Sequence, residues 1–154
     1  MAPPVPLVAL LTGTLPHLFP AQEFASKRVI LCVDDDQAIL NYEKTLLERS
    51  GYAVLTASSA QQGLKLVTMC EFDIVLLDYA MLGMTGYEVA MEMKRMTPEL
   101  MVILLSGGDV PIQGLAFVDG FIFKLDASRR LLPMIAALGN RIRRPQRKQE
   151  GTGE

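Results

Sequence analysis

Three consecutive aspartates, Asp34, Asp35 and Asp36, follow an apolar run that begins at Arg28. A fourth, Asp78, follows Ile74-Val75-Leu76-Leu77. Ser106, with Gly107 and Gly108 behind it, ends a run from Met101, and Lys124 ends the short run Phe121-Ile122-Phe123. If these runs are neighbouring strands, their ends collect carboxylates, a hydroxyl and one ammonium along a single edge. Two carboxylates about 5 Å apart repel by roughly 3 kcal/mol at an effective dielectric near 20. Lys124 alone does not offset Asp34, Asp35 and Asp78, so such a cluster takes up a proton or binds a divalent cation. Hard oxygen ligands with positions left open to water suit Mg2+. A cation held there also neutralises and orients a phosphate for in-line attack, and Asp78 is then a carboxylate nucleophile able to form an acyl phosphate. The plainer alternative, solvated loop acids that cap helices, does not call for Lys124 and Ser106 at the same edge.

The elements that must position these residues are written in the hydrophobic pattern. The apolar runs are Arg28–Val33, Tyr52–Ala57, Asp73–Leu77, Met101–Leu105 and Phe121–Phe123. Most lack polar alternation, which marks strands covered on both faces and hence a parallel sheet. Between them the period becomes helical. Ile39, Tyr42, Leu46 and Leu47 form one stripe closed by Gly51, and Ala60, Leu64 and Val67 form a second behind Ser58 or Ser59 as N-cap. Thr85 and Glu88 fit a capping box that opens a third helix, with Val89 and Met93 facing inward. A last helix carries Leu131, Leu132, Ile135 and Leu138. Five strand–helix alternations predict an open, doubly wound α/β domain with helices on both faces. Ligands of such sheets sit beyond the carboxyl ends of the strands, where the aspartates, Ser106 and Lys124 fall.

Composition bounds the rest. The chain has 154 residues, half of them apolar, and a formal net charge of −2. That is enough for one domain with a buried core, without a global pull toward nucleic acid or membrane. Cys32 and Cys70 lack metal-type spacing and read as core residues in a reducing compartment. His17 is the sole histidine, so the main body holds no histidine-based metal site or nucleophile triad. Residues 1–27 are proline-broken and carry no basic side chain before Lys27, which fits an irregular extension rather than a signal peptide or membrane span. Residues 141–154 read as a basic, glycine-containing tail.

Val33-Asp34-Asp35-Asp36, Leu77-Asp78, Leu105-Ser106-Gly107 and Phe121-Ile122-Phe123-Lys124 resemble the four signature segments of response-regulator receiver domains of two-component signalling. The resemblance spans residues 28–140 and implies a five-stranded flavodoxin-like sheet of order 2-1-3-4-5. It implies that Asp78 is the phospho-acceptor, that Asp35 binds Mg2+ directly and Asp34 through water, and that the backbone carbonyl of Ala80 completes the protein ligands. By the same resemblance Lys124 pairs with phosphoryl oxygens, Ser106 turns its hydroxyl toward them, and Phe121 is the aromatic that changes rotamer. Asp36 reads as the N-cap of the first helix.

The expected partner is a sensor histidine kinase or a histidine phosphotransfer protein, in the cytoplasm. With one helix and a tail left after Lys124, the expected output is protein contact, without direct nucleic-acid binding or membrane insertion. The chain is then a signalling phospho-acceptor, not an enzyme acting on a separate substrate. A docking module of the same fold that works without phosphorylation is the alternative. An aspartate-based phosphatase is disfavoured, because Ala80 stands where an Asp-x-Asp pattern needs its second acid. Three features depart from the family pattern. Leu125 replaces the usual proline after the lysine. Ser106 and Lys124 are 18 positions apart, about one helical turn less than usual. The fourth helix, Asp109 to Phe117, contains Pro111 and Gly114 and is expected to be short or irregular. Pro133 is expected to delete a hydrogen bond or bend the last helix.

Overall fold

The computed structural model describes residues 27–142. The expectations for residues 1–26, His17 among them, and for residues 143–154 lie outside the described residues. Five strands, β1 (Val29–Val33), β2 (Ala53–Ala57), β3 (Ile74–Asp78), β4 (Met101–Ser106) and β5 (Gly120–Phe123), form one parallel sheet of order β2-β1-β3-β4-β5. Four α-helices connect and follow them: α1 (Gln37–Arg49), α2 (Ala60–Met69), α3 (Gly86–Met96) and α4 (Ala127–Gly139). The expected strand order and α/β class are those observed.

Alternate strand residues feed two cores. Ile30, Cys32, Ile74, Leu76, Ile103, Leu105 and Ile122 pack with Leu40 and Leu47 of α1 and with Leu131, Ile135 and Leu138 of α4. Leu31, Val33, Val75, Leu77, Val102 and Leu104 face the other way, toward α2 and α3 through Ala60, Val67, Val89, Ala90 and Met93. Both sheet faces are covered, which is why the strands carry unbroken apolar runs. Cys32 and Cys70 are buried and unpaired. Among the described residues no helix is long and apolar enough to cross a membrane.

Helix boundaries follow local chemistry. The Asp36 side chain accepts the N–H groups of Ala38 and Ile39 and caps α1. The far end closes on Gly51 at φ 92°, where the Gly51 and Tyr52 N–H groups bond the carbonyls of Glu48 and Leu47, the Schellman pattern that a left-handed glycine permits. Ser59, not Ser58, caps α2, and Thr85 with Glu88 forms the complete capping box of α3.

One expectation needs correction. The α1 stripe is displaced: Leu40, Glu43 and Leu47 are its buried residues, while Tyr42 is half exposed. Apolar patterning assigns inward positions by side-chain type, and here a carboxylate holds the central one. The Asp109–Phe117 segment, expected to be short or irregular, holds a single 3-10 turn at Ile112–Leu115 capped by Pro111, which leaves four α-helices among the described residues. Asp119 ties this short connection to the sheet. Its carboxylate accepts the Val102 N–H at 2.8 Å and the Lys94 ammonium at 2.7 Å, while its own N–H donates to the Val102 carbonyl. Pro133 sits inside α4, where its ring nitrogen has no N–H to donate, so the helix loses one hydrogen bond as expected. It lies on the exposed face of the helix.

Candidate functional site

The site gathers where four strands end at the same edge. Asp34 directly follows β1 and is almost fully buried, 2% exposed. One of its carboxylate oxygens accepts the Asp36 N–H at 2.8 Å and the other accepts the Lys124 ammonium at 3.1 Å. Asp35, next in the chain, is exposed. Asp78, the last residue of β3, is 4% exposed, and its carboxylate lies 2.9 Å from Lys124 Nζ. Oxygens of Asp34, Asp35 and Asp78 all come within 4.8 Å of one another. Lys124 directly follows β5 and opens a 3-10 turn, Lys124–Asp126, that leads into α4. Leu125 thus takes a helical-turn position with its side chain in solvent, 93% exposed.

The electrostatics follow from this packing. Burial raises the Asp78 carboxyl above its ordinary value; hydrogen bonding to Lys124 opposes that, and the charge of Asp34 reinforces it. Burial also works against the Lys124 ammonium, but hydrogen bonds to Asp78 and Asp34 outweigh it and hold its pKa above the ordinary value. The ammonium therefore bridges two strands as an obligate countercharge. The Ala80 N–H supports the Asp78 carboxylate, and Ala80 pairs with Thr85 across the β3–α3 loop.

Gly86, which carries no mark in the sequence pattern, explains how that loop fits. A Cβ there would sit 2.6 Å from the Asp78 carbonyl oxygen and 2.8 Å from Leu104, so only glycine lets α3 start directly behind Asp78. The remaining predicted residues are close at hand but turned elsewhere. Ser106 ends β4 beside Asp78, yet its hydroxyl donates to the Gly108 carbonyl at 2.8 Å and accepts the Gly108 N–H. Phe121 is half-buried on β5, edge-on to Phe123 with ring centroids 4.8 Å apart, and packs on the α3 side of the sheet.

A second residue that sequence reasoning missed lies just beneath. Glu43 of α1 is 5% exposed. Burial, then the charge of Asp34, raises its carboxyl to about 7, against the opposing effect of the Cys32 thiol.

Comparison with known proteins decides the family. The model of the response regulator receiver domain matches residues 30–135. The chain belongs to that family. Among curated relatives, the transcriptional regulatory protein AfsQ1 of Streptomyces coelicolor is 32% identical over 123 residues, 77% of this chain and 53% of that protein. The phosphate regulon transcriptional regulatory protein PhoB of Pseudomonas aeruginosa is 32% identical over 117 residues, 72% of this chain and 51% of that protein. This receiver thus spans about half the length of the curated relatives it matches. Among solved structures, the Thermotoga maritima response regulator TrrA in complex with Mg(2+)-BeF superposes with a TM-score of 0.69 at 28% identity, covering 72% of this chain and 98% of that one. The same regulator in complex with the histidine kinase ThkA gives a TM-score of 0.68 at 28% identity, over 72% of this chain and 97% of that one.

Proposed function

We propose that this receiver accepts a phosphoryl group on Asp78 from the phosphohistidine of a sensor histidine kinase or a histidine phosphotransfer protein, in the cytoplasm and with Mg2+. The observation that carries this reading is Lys124 held at 2.9 Å from Asp78 and 3.1 Å from Asp34, beside a third carboxylate open to solvent. Three acids within 4.8 Å of one another face one ammonium, and that oxygen-rich imbalance suits a hard divalent cation. Asp35 and Asp78 would bind it directly, with the Ala80 carbonyl. Asp34, whose two oxygens already accept Asp36 N–H and Lys124, would act through water. When bound, Mg2+ supplies the positive charge that lets an anionic phosphate approach these acids.

The chain's own groups account for the remaining chemistry. A carboxylate oxygen of Asp78 attacks phosphorus, and the phosphorus–nitrogen bond to the donor imidazole breaks as the acyl phosphate forms. Lys124 transfers its hydrogen bonds from the carboxylates to the new phosphoryl oxygens. Ser106 exchanges its bond to Gly108 for one to the phosphoryl group, and Phe121 moves into the space its turn leaves. Phosphorylation so biases a protein-contact face between two states. The receiver serves as a signalling phospho-acceptor, limited to its own phosphorylation and dephosphorylation, and these residues make no direct nucleic-acid contact. TrrA, recorded both with Mg(2+)-BeF and with a histidine kinase, supports the reading by similarity. The 3-10 turn in place of a fourth helix favours one second reading, a docking module independent of phosphorylation.

Incubation with a small phosphodonor and Mg2+, followed by intact mass, tests the main reading. A single phosphoryl adduct is expected on the wild type and none on Asp78→Asn. An adduct that survives Asp78→Asn would overturn it. Beryllofluoride with Mg2+ separates the second reading: amide shifts at Ser106 and Phe121 support phosphorylation control, and their absence supports the docking module.

A further inference from the structure

Glu43 is a carboxylate in a core position. It lies one turn from Leu40 and one turn from Leu47 on the buried stripe of α1, where an apolar side chain would satisfy packing without a desolvation cost. Beside it stands the thiol of Cys32 on β1, itself fully buried, which acts to lower the Glu43 carboxyl pKa. It opens onto a cavity of about 160 Å3 between α1 and α4. Lys124 lines the same cavity, together with Ile39, Tyr42, Leu105 and Ala127. One lysine thus stands between two sets of acids: Asp34 and Asp78 on one side, Glu43 on the other.

The groups that face Glu43 can be named element by element. Cys32 lies on β1 and Asp34 just after it, Asp78 ends β3, and Lys124 directly follows β5. The lining from β4 and α4, Leu105, Ala127 and Leu131, is apolar, and the Tyr42 phenol is the polar group that α1 adds beside Glu43. Burial and the charges of Asp34 and Asp78 disfavour an ionised Glu43, while Lys124 favours it. Cys32 is held well above its ordinary value by burial, then by Glu43, so the thiol stays neutral when Glu43 titrates.

We propose that Glu43 is a positioning residue for Lys124: its ionised carboxylate draws the ammonium into the shared cavity, and its neutral form leaves the ammonium to the acceptor site. This rests on the phosphoryl-acceptor reading for its consequence, though not for the coupling itself. With Glu43 neutral, Lys124 is free to meet phosphoryl oxygens on Asp78. With Glu43 ionised, the lysine is shared, and an extra negative charge opposes the incoming phosphoryl group. Acceptance of a phosphoryl group therefore weakens as Glu43 loses its proton.

The experiment follows the Lys124 side-chain methylene resonance by NMR as pH is raised, in the wild type, in Glu43→Gln and in Glu43→Leu. Glu43→Leu guards against a fold defect, since leucine suits the apolar site. An inflection near the value of about 7 assigned to Glu43 is expected in the wild type and absent from both variants. Adduct yield with a small phosphodonor at saturating Mg2+ is read in parallel. Relative to Glu43→Gln, the wild-type yield should fall several-fold between about pH 6 and about pH 8. An unchanged Lys124 inflection in either folded variant overturns the proposal. A Glu43-dependent Lys124 inflection with no adduct in any protein keeps the coupling and rejects the phosphoryl-acceptor reading instead.

Discussion

The carboxylate edge and the β4–β5 connection solve opposite problems. At the carboxylate edge the sheet fixes the backbones of three charged residues: Asp78 ends β3, while Asp34 and Lys124 directly follow β1 and β5. Neighbouring strands set the register, Val33 against Leu77 and Asp78 against Leu105, so the carboxylates meet whatever the intervening loops do. The β4–β5 connection has no such frame. It is one 3-10 turn, Ile112–Leu115, with Ile112 82% exposed, pinned where Asp119 grips Val102. The contrast separates two demands. The carboxylates and the ammonium are placed by strand ends, whereas the surface presented beside them is set by the connection itself.

The sharpest way to break this contrast is to remove the countercharge on one side of it. Lys124→Ala leaves two buried carboxylates uncompensated, and breaking such a pair costs about 3 kcal/mol. Urea unfolding at neutral pH should show that loss, with adduct formation on Asp78 abolished. Added Mg2+ should restore much of the stability, because a cation that binds the folded state replaces the missing charge. Full stability without Mg2+ would mean that the pairing seen at 2.9 and 3.1 Å carries little of the site.

Glu43 probes the same edge from beneath. Its folded-state value of about 7 lies above the ordinary 4.5. A raised carboxyl stabilises the fold fully below its unfolded value, and that contribution is lost as pH rises through the folded one. The wild type should therefore lose up to about 3 kcal/mol relative to Glu43→Gln between the two values. Urea midpoints across that window check the slope, and parallel curves for the two proteins would contradict it.

What is legible in the sequence divides along the same line. Covered strands are continuous apolar runs, and each run here stops abruptly at a charge or hydroxyl, so the pattern by itself puts Asp34, Asp78, Ser106 and Lys124 at one edge. Gly51, Asp36 and the Thr85–Glu88 pair likewise carry local signatures. Glu43 does not, because amphipathic patterning sends a glutamate to solvent and takes Tyr42 inward, the reverse of what α1 does. Asp119 is silent for a different reason: it recognises main chain, and a bond to a distant peptide N–H leaves no trace in spacing. The turn at Ile112–Leu115 is half visible, since Pro111 and Gly114 argue against a regular helix without saying what replaces it.

Asp119→Ala tests the other side of the comparison. It strands the Val102 N–H at the start of β4 and unpairs Lys94, at a cost of about 2 kcal/mol. Adduct formation on Asp78 should survive, because Asp119 lies at the opposite end of the strands from the acids. Amide exchange should quicken across residues 109–119 and leave Asp34 and Asp78 protected. Loss of phosphorylation with the fold intact would show that the connection is coupled to the chemistry after all.

Thr85→Ala has the smallest expected effect and the finest resolution. The Thr85 hydroxyl accepts the Glu88 N–H, while the Glu88 carboxylate accepts the Thr85 N–H at 2.8 Å. Losing the side-chain half of this box costs about 1 kcal/mol, read as a small drop in urea midpoint. The cap opens α3, whose first residue Gly86 packs directly on the Asp78 carbonyl, and Thr85 pairs with Ala80 across the loop. If strand ends alone fix the acids, the mutant should lose this stability while Mg2+ affinity stays unchanged. A weakened affinity would place the Ala80–Thr85 loop, and not just the strands, among the elements that hold the site in shape.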